Sequence, residues 1–341
     1  MRGARCGFRR DNWIEFLAAV QKDAGMLDRP IVFEPMAMER VWGGRRFETL
    51  KGKSLPNGTP IGELWEIVDR QDAQSVVHSG PLAGKTLHDL WGSAHRGDIF
   101  GEDFASHPDA RFPLLIKLLD ARERLSVQVH PPAHLAQSMG GEPKTEVWYF
   151  LDALPGATIY AGLKAGVTRE DFDGLLRSGQ VERALHEIPV HTGESIFIPS
   201  GRLHAIGEGN LIVEVQQNSD TTYRVFDWNR LGLDGHPRAL HIDESMASID
   251  FDDHEPRVVG KKSPVIADCP LFHVQKQSVS GPVDVRPYGR FALVAVLGGT
   301  ISCGPDRFER GQFFLVPAES SSLELSATSG PAEILVITLP Y

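Results

Sequence analysis

The sequence predicts a fold dominated by β-structure, with two β-barrels of related shape and short helical insertions. Its 34 glycines and 23 prolines are spread along the chain, which suits many short strands with tight turns better than a helical bundle. From residue 112 onwards, apolar runs of strand length follow one another closely, among them "FPLLIKLLD", "RLSVQVH" and "EVWYFLD". A strand pair followed by a Gly-x-x-x-x-x-Pro segment occurs twice, at 193–199 and at 311–317, and this repeat predicts two units of similar architecture.

Most of the chain has the pattern of short strands, beginning with residues 31–80, and two segments depart from it. The stretch 86–93, "TLHDLWGS", predicts a short helix. The segment 168–187 predicts a helical insertion, because Thr168 and Asp171 have the spacing of a capping box before an apolar face. The tetrapeptide "DARE", which joins two strand-like runs, predicts a hairpin turn.

These patterns divide the chain into an N-terminal extension, residues 1–28, and two domains, residues 29–254 and 255–341. The extension is basic at its start but has no apolar core of the kind a secretory signal contains. Apolar residues at helical spacing, beginning with Trp13, allow it to be an amphipathic helix. An upstream start codon, with the functional chain beginning near Met26, is the other interpretation.

Composition and charge exclude several classes of protein. A chain of 341 residues with 41% hydrophobic and 23% charged residues fits a soluble globular protein. The formal net charge of −10 argues against nucleic acid or an anionic membrane as partner, and no apolar run approaches the ~20 residues of a membrane span. Three widely separated cysteines favour a reducing compartment, so we expect a cytoplasmic protein. The sequence does not decide between a monomer and a dimer.

The stretch "LSVQVHPP", residues 125–132, places polar side chains on one face of an apolar strand. Side chains alternate along a strand, so Ser126, Gln128 and His130 share a face while two valines occupy the other. Such a strand lines a polar cavity. A histidine and a glutamine that merely hydrogen-bond each other inside a barrel would give the same pattern.

Two further segments favour a metal site. In "KTEVWYFL", Glu146 shares a strand face with Trp148. The spacing of Gly193, Pro199, Gly201 and His204 resembles the second sequence motif of the cupin superfamily. In that superfamily the Pro-x-Gly turn carries the chain to a strand whose histidine completes a metal site, and a glycine turn delivers the histidine without steric cost.

Together these segments offer two imidazoles, one carboxylate and one amide oxygen as ligands for a metal ion. Zn²⁺ suits two histidines and a carboxylate, with room left for water or substrate. The same set is also that of non-haem Fe(II) oxygenases, so ligand type alone does not decide the metal. The predicted ligands are Gln128, His130, Glu146 and His204.

Several longer segments resemble the type I mannose-6-phosphate isomerases, in particular their short bacterial form. They include "FPLLIKLLDARERLSVQVHPP", "KTEVWYFLDALPGATIYAGL" and "EVQQNSDTTYRVFDWNR". The resemblance runs from about Pro30 to the C-terminus and is strongest between 112 and 251. It implies interconversion of mannose 6-phosphate and fructose 6-phosphate with one Zn²⁺ per chain, held by the four predicted ligands. It also implies that Arg224, in "TTYR", is an active-site residue.

An isomerase of this kind needs cationic groups for an anionic sugar phosphate and a base for the proton moved between C1 and C2. We expect Lys144 and Arg224 to be catalytic, and Lys117 and Ser126 to bind substrate with them. The base stays open between four candidates: Lys144 with a depressed pKa, Glu214, Asp220 and a metal-bound water.

The two domains then differ in their expected roles. Residues 29–254 would be the catalytic, metal-binding domain, whereas residues 255–341 would be a degenerate cupin-like domain, because serine stands where the first unit has His204. Two other functions fit the same ligands. They are an iron-dependent cupin dioxygenase and a non-catalytic cupin that binds sugar phosphates.

Overall fold

The structure is a computed structural model, and it describes residues 27–52, 55, 58–320 and 323–340. The expectations for the extension at residues 1–28, including its helix and the alternative start at Met26, fall almost wholly outside these residues. Leu27, the first residue described, is buried.

The described residues form a mostly β fold with few and short helices, which confirms the predicted predominance of β-structure. They contain nineteen strands: β1 (Met36–Gly44), β2 (Ile61–Ile67), β3 (Leu114–Ala121), β4 (Val127–Val129), β5 (Glu146–Ala153), β6 (Thr158–Leu163), β7 (Leu185–Pro189), β8 (Ser195–Ile198), β9 (His204–Ile206), β10 (Asn210–Gln217), β11 (Tyr223–Phe226), β12 (Val265–Asp268), β13 (His273–Val279), β14 (Ala292–Gly298), β15 (Thr300–Cys303), β16 (Asp306–Glu309), β17 (Phe313–Val316), β18 (Leu325–Ala327) and β19 (Ala332–Thr338).

The helices lie in the connections between strands, and none within the described ranges is long and apolar enough to cross a lipid bilayer. The six α-helices are α1 (Arg46–Lys51), α2 (Leu87–Trp91), α3 (Arg96–Phe100), α4 (Ala133–Ala136), α5 (Arg169–Arg177) and α6 (Ile242–Ser248). Single 3₁₀ turns occupy Glu102–Phe104, Gln137–Met139, Val181–Arg183 and Pro287–Gly289.

The segment 168–187 is helical only in its first half and in one 3₁₀ turn. Helix α5 follows Thr168, whose hydroxyl oxygen accepts a hydrogen bond from the backbone N–H of Asp171, and the Asp171 carboxylate accepts one in return. The expectation of helix up to residue 187 is wrong, because β7 begins at residue 185 and pairs with β6.

Two antiparallel sheets face each other in the first part of the chain. The strand orders are β1-β2-β3-β10-β5-β8 and β11-β4-β9-β6-β7. Side chains of both sheets meet in one apolar core, with Trp148 and Ile212 from the larger sheet and Ile159 and Ile206 from the smaller one. The predicted "DARE" hairpin is wrong, because β3 and β4, the strands on either side of it, belong to different sheets.

The later part of the chain repeats this arrangement. The strand orders are β12-β13-β19-β14-β17 and β16-β15-β18, again around a shared apolar core. The glycine turns correspond closely, since Gly193 N–H donates to Phe150 O at 2.8 Å and Gly311 N–H donates to Val296 O at 2.8 Å. Both glycines have positive φ, 89° and 82°, which a residue with a Cβ adopts only under strain. Strand β1 also pairs with β3 at Gly43 and Ala121, but no pairing among the described residues joins the two edges of any of the four sheets, so closed barrels remain a prediction.

The two large sheets also share a core between them. Ile116, Val147 and Val213 on the outer face of the first sheet belong to the same cluster as Leu293 and Leu335 of the second. Strand β3 is buried along its entire length, because the sheet to which it belongs is covered on both faces. A strand of this kind is apolar throughout rather than alternating, as its sequence shows. Lys117 is therefore an exception that requires a partner.

Candidate metal centre

The four predicted metal ligands come from both sheets of the first pair. Gln128 lies on β4 and His204 at the start of β9, and the register of these strands places the two residues directly opposite each other. His130 follows β4, and Glu146 begins β5 in the facing sheet. His130, Glu146 and His204 are almost completely buried, with exposed fractions of 1%, 0% and 0%.

A glycine turn ties the β9 ligand to the β4 ligand. Gly201 has φ 95°, so the turn before His204 requires glycine. Its N–H donates to the carbonyl oxygen of His130 at 2.9 Å. The Pro-x-Gly motif thus fixes the separation of the two histidines through the backbone.

The potential ligand atoms converge on one point between the sheets. The ligand atoms of His130, Glu146 and His204 all lie within 4.8 Å of one another. Each histidine Nε2 faces the carboxylate, at 3.5 Å from Glu146 Oε2 for His130 and 3.6 Å from Glu146 Oε1 for His204. The Gln128 amide lies 3.3 Å from His204 Nε2, and Ser126 Oγ lies 3.5 Å from the other end of that amide. A half-turn of the amide would point its oxygen at the same centre.

The hydrogen bonds of the two histidines engage Nδ1 and leave Nε2 available for a metal ion. His130 Nδ1 lies 2.8 Å from Thr221 O, and His204 Nδ1 lies 2.8 Å from Arg202 O. A carbonyl oxygen can only accept, so both Nδ1 atoms carry the proton and both Nε2 atoms present a lone pair. Burial lowers the pKa of His130, and burial together with His130 lowers the pKa of His204 to about 3, so both rings are neutral, as metal ligands must be.

The carboxylate of Glu146 is held in its charged form and in one orientation. Burial alone would raise the pKa of Glu146, but the positive charge of Lys144 and the interactions with His130 outweigh burial and lower it well below the usual range. Trp148 Nε1 donates to Glu146 Oε1 at 3.0 Å and also to Glu214 Oε1 at 3.0 Å. Two neutral imidazoles, a fixed carboxylate and an amide therefore fit a divalent cation such as zinc.

A cavity of about 410 Å³ adjoins this group, and it brings together the remaining residues that the sequence predicts for the site. It is lined by Gln128 and by Lys117, Ser126, Lys144, Glu214, Asp220 and Arg224.

Lys117 is buried beside two carboxylates. Its Nζ lies 3.3 Å from Glu214 Oε2 and 3.9 Å from Glu63 Oε2, and its exposed fraction is 3%. The arrangement follows from strand register, because Trp65, Lys117 and Glu214 are direct neighbours across β2, β3 and β10. Each buried charge thus has a partner of opposite sign, as burial requires.

Lys144 contacts the metal group itself. Its Nζ lies 2.7 Å from Glu146 Oε2 and 3.3 Å from His130 Nε2. Burial would lower the pKa of Lys144, but attraction to Glu146 and Glu214 outweighs burial and raises it. These charges shift the pKa of Lys144 in the direction opposite to the depressed pKa expected of a lysine base.

Arg224 lies on β11 directly opposite Gln128 on β4. Its Nη1 donates to Ala239 O at 2.8 Å, while its buried Nε has no hydrogen-bond partner among the described residues. Burial, followed by repulsion from Arg238, lowers the pKa of Arg224 from its ordinary value. The guanidinium therefore retains capacity for another acceptor at the cavity.

The structure also adds residues that sequence reasoning missed. Arg40, Glu63 and Arg238 line the cavity, and Trp148 orients Glu146. The shared strand face of Glu146 and Trp148 was a usable signal for the tryptophan. The other three lie on segments whose partners are distant in sequence, and no local pattern indicates them.

Comparisons with known proteins identify relatives of this chain. A family model described as "Phosphomannose isomerase type I, catalytic domain" matches residues 32–149. A probable mannose-6-phosphate isomerase of Bacillus subtilis (strain 168), GmuF, is 36% identical over 316 residues, which are 89% of this chain and 98% of that protein. The mannose-6-phosphate isomerase of Streptococcus mutans serotype c is 36% identical over 299 residues, which are 84% of this chain and 92% of that protein.

A solved structure shows the same relationship in three dimensions. The crystal structure of the mannose 6-phosphate isomerase from Bacillus subtilis superimposes with a TM-score of 0.76 and 30% sequence identity, and the match covers 91% of this chain and 100% of that one. With this degree of identity over nearly the whole length of its relatives, the chain belongs to the type I phosphomannose isomerase family.

Proposed function

We propose that this protein is a zinc-dependent aldose–ketose isomerase that interconverts mannose 6-phosphate and fructose 6-phosphate by moving a proton between C1 and C2. One observation carries the proposal, namely a buried His130–Glu146–His204 group that adjoins a cavity lined by cationic side chains. Membership of the family and the names of its relatives support the substrate.

Gln128, His130, Glu146 and His204 would hold one Zn²⁺ per chain. When bound, such an ion supplies Lewis acidity, which polarises a sugar carbonyl and orients the adjacent hydroxyl. The Nδ1 hydrogen bonds of both histidines and the Trp148 hydrogen bond to Glu146 hold these three ligands in place before an ion arrives.

Lys144 and Arg224 would stabilise the charge that develops on oxygen during enolisation. Both are cationic, and Arg224 has a buried Nε–H without an acceptor among the described residues. A charged donor placed in a largely buried site is more effective than the same donor in water, because it need not reorganise during the reaction. Ser126 and Lys117 line the same cavity and complete the polar surface for the sugar.

Glu214 is the base that the geometry favours for the proton transfer. Its carboxylate lies inside the cavity between Trp148 Nε1 and Lys117 Nζ, at 3.0 Å and 3.3 Å. Burial, and then repulsion by Glu146, raises the pKa of Glu214, in the direction of the working pH of a general base. Asp220 also lines the cavity and is the second candidate.

The two-part fold fits a cupin-like architecture in which residues 29–254 are catalytic and residues 255–341 are a degenerate second unit. The corresponding strand orders and the corresponding glycine turns at Gly193 and Gly311 support this division. Among the described residues, the group of histidine and carboxylate side chains that could hold a metal ion lies wholly in the first part.

A single assay tests the proposal. Purified zinc-loaded protein is incubated with mannose 6-phosphate, and fructose 6-phosphate is measured by a coupled reaction before chelation, after chelation and after zinc is restored. We expect activity that disappears on chelation and returns with zinc. No product from the zinc-loaded protein would overturn the proposal. Parallel metal analysis and oxygen uptake would identify an iron-dependent dioxygenase instead.

A further inference from the structure

A second cavity, with a volume of about 470 Å³, opens in the later part of the chain. It lies between β12, β13, β19 and the segment 284–290, at the edge of the second apolar core. Val285 and Val336 belong to that core and also line the cavity. Its volume is in the range of cavities that bind small molecules, so the residues around it indicate what it can bind.

The glycine turns of the two sheet pairs show which residues of β5 and β14 correspond. They bond to Phe150 on β5 and to Val296 on β14, so these two residues occupy equivalent positions. Four residues earlier along each strand, Glu146 corresponds to Ala292. The alanine side chain has no ligand atom, so the position equivalent to the Glu146 carboxylate cannot bind a metal ion through a side chain.

Strand pairing extends this correspondence to the charged residues of the first cavity, the one that adjoins the candidate metal centre. It matches Glu214 on β10 with Val336 on β19. The neighbour of Glu214 on β3 is Lys117. The neighbour of Val336 on β13 is Gln275, which lines the second cavity. The second cavity therefore lies at the position equivalent to the first, with an amide and a valine in place of the buried ion pair.

The charged groups of the second cavity leave no excess of positive charge for a phosphate. Both arginines and the histidine that line it are paired with carboxylates. The pairs are Arg286–Asp284, Arg290–Asp103 and His273–Asp268. An anionic ligand is attracted by an excess of positive charge, so this lining favours an uncharged ligand instead.

The uncharged polar groups of the second cavity retain hydrogen-bonding capacity. The side chains of Gln275, Gln277 and Thr338 make no hydrogen bond within the part of the chain that the structure describes. Gln275 and Gln277 are two residues apart on β13, so their amides lie on the same face of the strand. Each amide both donates and accepts hydrogen bonds, which matches the hydroxyl groups of a sugar.

Tyr288 presents an exposed aromatic ring at the same cavity. Its exposed fraction is 85%, and its φ of 53° is a strained conformation for tyrosine. The turn is held on both sides, because Arg286 Nη1 donates to Ser320 O and Arg290 donates to the Asp103 carboxylate. Strain that the surroundings maintain in this way is a feature of functional sites. An exposed ring of this kind can stack on the apolar C–H face of a sugar.

We propose that the second cavity binds an uncharged pyranose, whose C–H face stacks on Tyr288 while its hydroxyl groups bond to Gln275 and Gln277. This site is distinct from the proposed isomerase site and needs no metal ion. The inference goes beyond the proposed function and does not rest on it, because none of these three residues belongs to the first cavity. A neutral sugar bound there leaves the first cavity open to a sugar phosphate.

Calorimetric titration with the methyl α-glycosides of mannose and glucose tests the proposal. These probes are uncharged, and their rings cannot open, so the isomerase reaction cannot consume them. We expect saturable binding of at least one glycoside to the wild type. The affinity should weaken at least about fivefold in Tyr288→Ala, because one stacking contact is lost, and about two- to tenfold in Gln275→Ala, because one hydrogen bond is lost.

Leu154→Ala is the matched control, because it removes an exposed apolar side chain from the first part of the chain and should bind the glycosides like the wild type. Turnover of mannose 6-phosphate should be the same in Tyr288→Ala, Gln275→Ala and the wild type. Glycoside binding should also persist after zinc is removed. If Tyr288→Ala does not fold, Gln275→Ala decides.

Three results would overturn the inference. They are the absence of saturable glycoside binding, equal affinities in the wild type and both variants, and binding that disappears with zinc. Binding that depends on Tyr288 in a protein that does not isomerise mannose 6-phosphate would instead refute the proposed function and leave the sugar site standing. Isomerisation without glycoside binding would do the reverse.

Discussion

Trp148 and Glu146 are two residues apart on one strand, and the indole N–H of the first donates to the carboxylate of the second at 3.0 Å. The same N–H reaches Glu214 on the neighbouring strand, also at 3.0 Å. One donor therefore links a proposed metal ligand to the proposed base. Since the indole is fully buried and packs edge-on against His204 at 5.4 Å, it cannot move without disturbing the centre.

Trp148→Phe should weaken zinc binding by about 10- to 100-fold, the usual cost of losing a hydrogen bond to a metal ligand. The aromatic ring remains, so most of the packing is retained. Zinc affinity is measured by competition with a chelating dye. Trp65→Phe is the control, because Trp65 donates to Glu63 instead, and it should leave the affinity nearly unchanged. Equal affinities in wild type and Trp148→Phe would contradict the linking role.

His204→Ala should lose both bound zinc and isomerase activity, because the site would keep only one imidazole. Metal content after dialysis and turnover of mannose 6-phosphate are the two measurements. His191→Ala removes an exposed histidine and should retain both. Stoichiometric zinc in purified His204→Ala would refute its assignment as a ligand.

Glu214→Gln should lower kcat by about 10²- to 10⁴-fold if Glu214 is the base, since amides do not accept the proton. Zinc content should be unchanged, because Glu214 is not among the proposed ligands. Asp220→Asn is the comparison, and we expect a drop of less than about tenfold. A larger drop in Asp220→Asn than in Glu214→Gln would reassign the base to Asp220. Thermal unfolding of both variants checks that Lys117, which loses a partner in Glu214→Gln, does not destabilise the fold.

Site residues can be predicted from the sequence where they belong to a short local pattern. Alternation along β4 places Gln128 and His130 on one side, and a glycine turn places His204 nearby, so a local pattern is enough to identify these residues. Arg238 has no such pattern, because it lies in an irregular connection and is held beside the cavity by Asp227, eleven residues earlier. The charges that act on Lys144 cannot be predicted for a similar reason. Glu214 comes near Lys144 only because β10 pairs with β5.

Segments in which strand pairing opposes the local sequence preference are predicted less well from the sequence. "DARE" has the composition of a turn, but turn composition does not show whether the next strand stays in the same sheet. Residues 185–187 follow a helical segment and carry the helix-compatible sequence "LHE", yet pairing with β6 makes them part of a strand. In both cases tertiary pairing decides against the local preference.

Glu63 should make the fold sensitive to acid. Burial would raise the pKa of Glu63, but Lys117 and Arg40, with hydrogen bonds from Trp65 and Arg40, lower it from 4.5 to about 2. A depressed pKa in the folded state contributes stability that is complete above the unfolded value and is lost as the pH falls through the folded value. The window is therefore between pH 4.5 and about 2.

Glu63→Gln should flatten this dependence, because glutamine has no proton to take up. Across the window the wild type should lose about 3 kcal/mol more unfolding free energy than the variant, and much of this difference should be visible between about pH 5 and 3. Urea unfolding of the metal-free protein at successive pH values measures it, since zinc would itself dissociate in acid. Glu324→Gln, at an exposed position, should follow the wild-type curve. Parallel curves for wild type and Glu63→Gln would show that the ion pairs around Glu63 add nothing to acid stability.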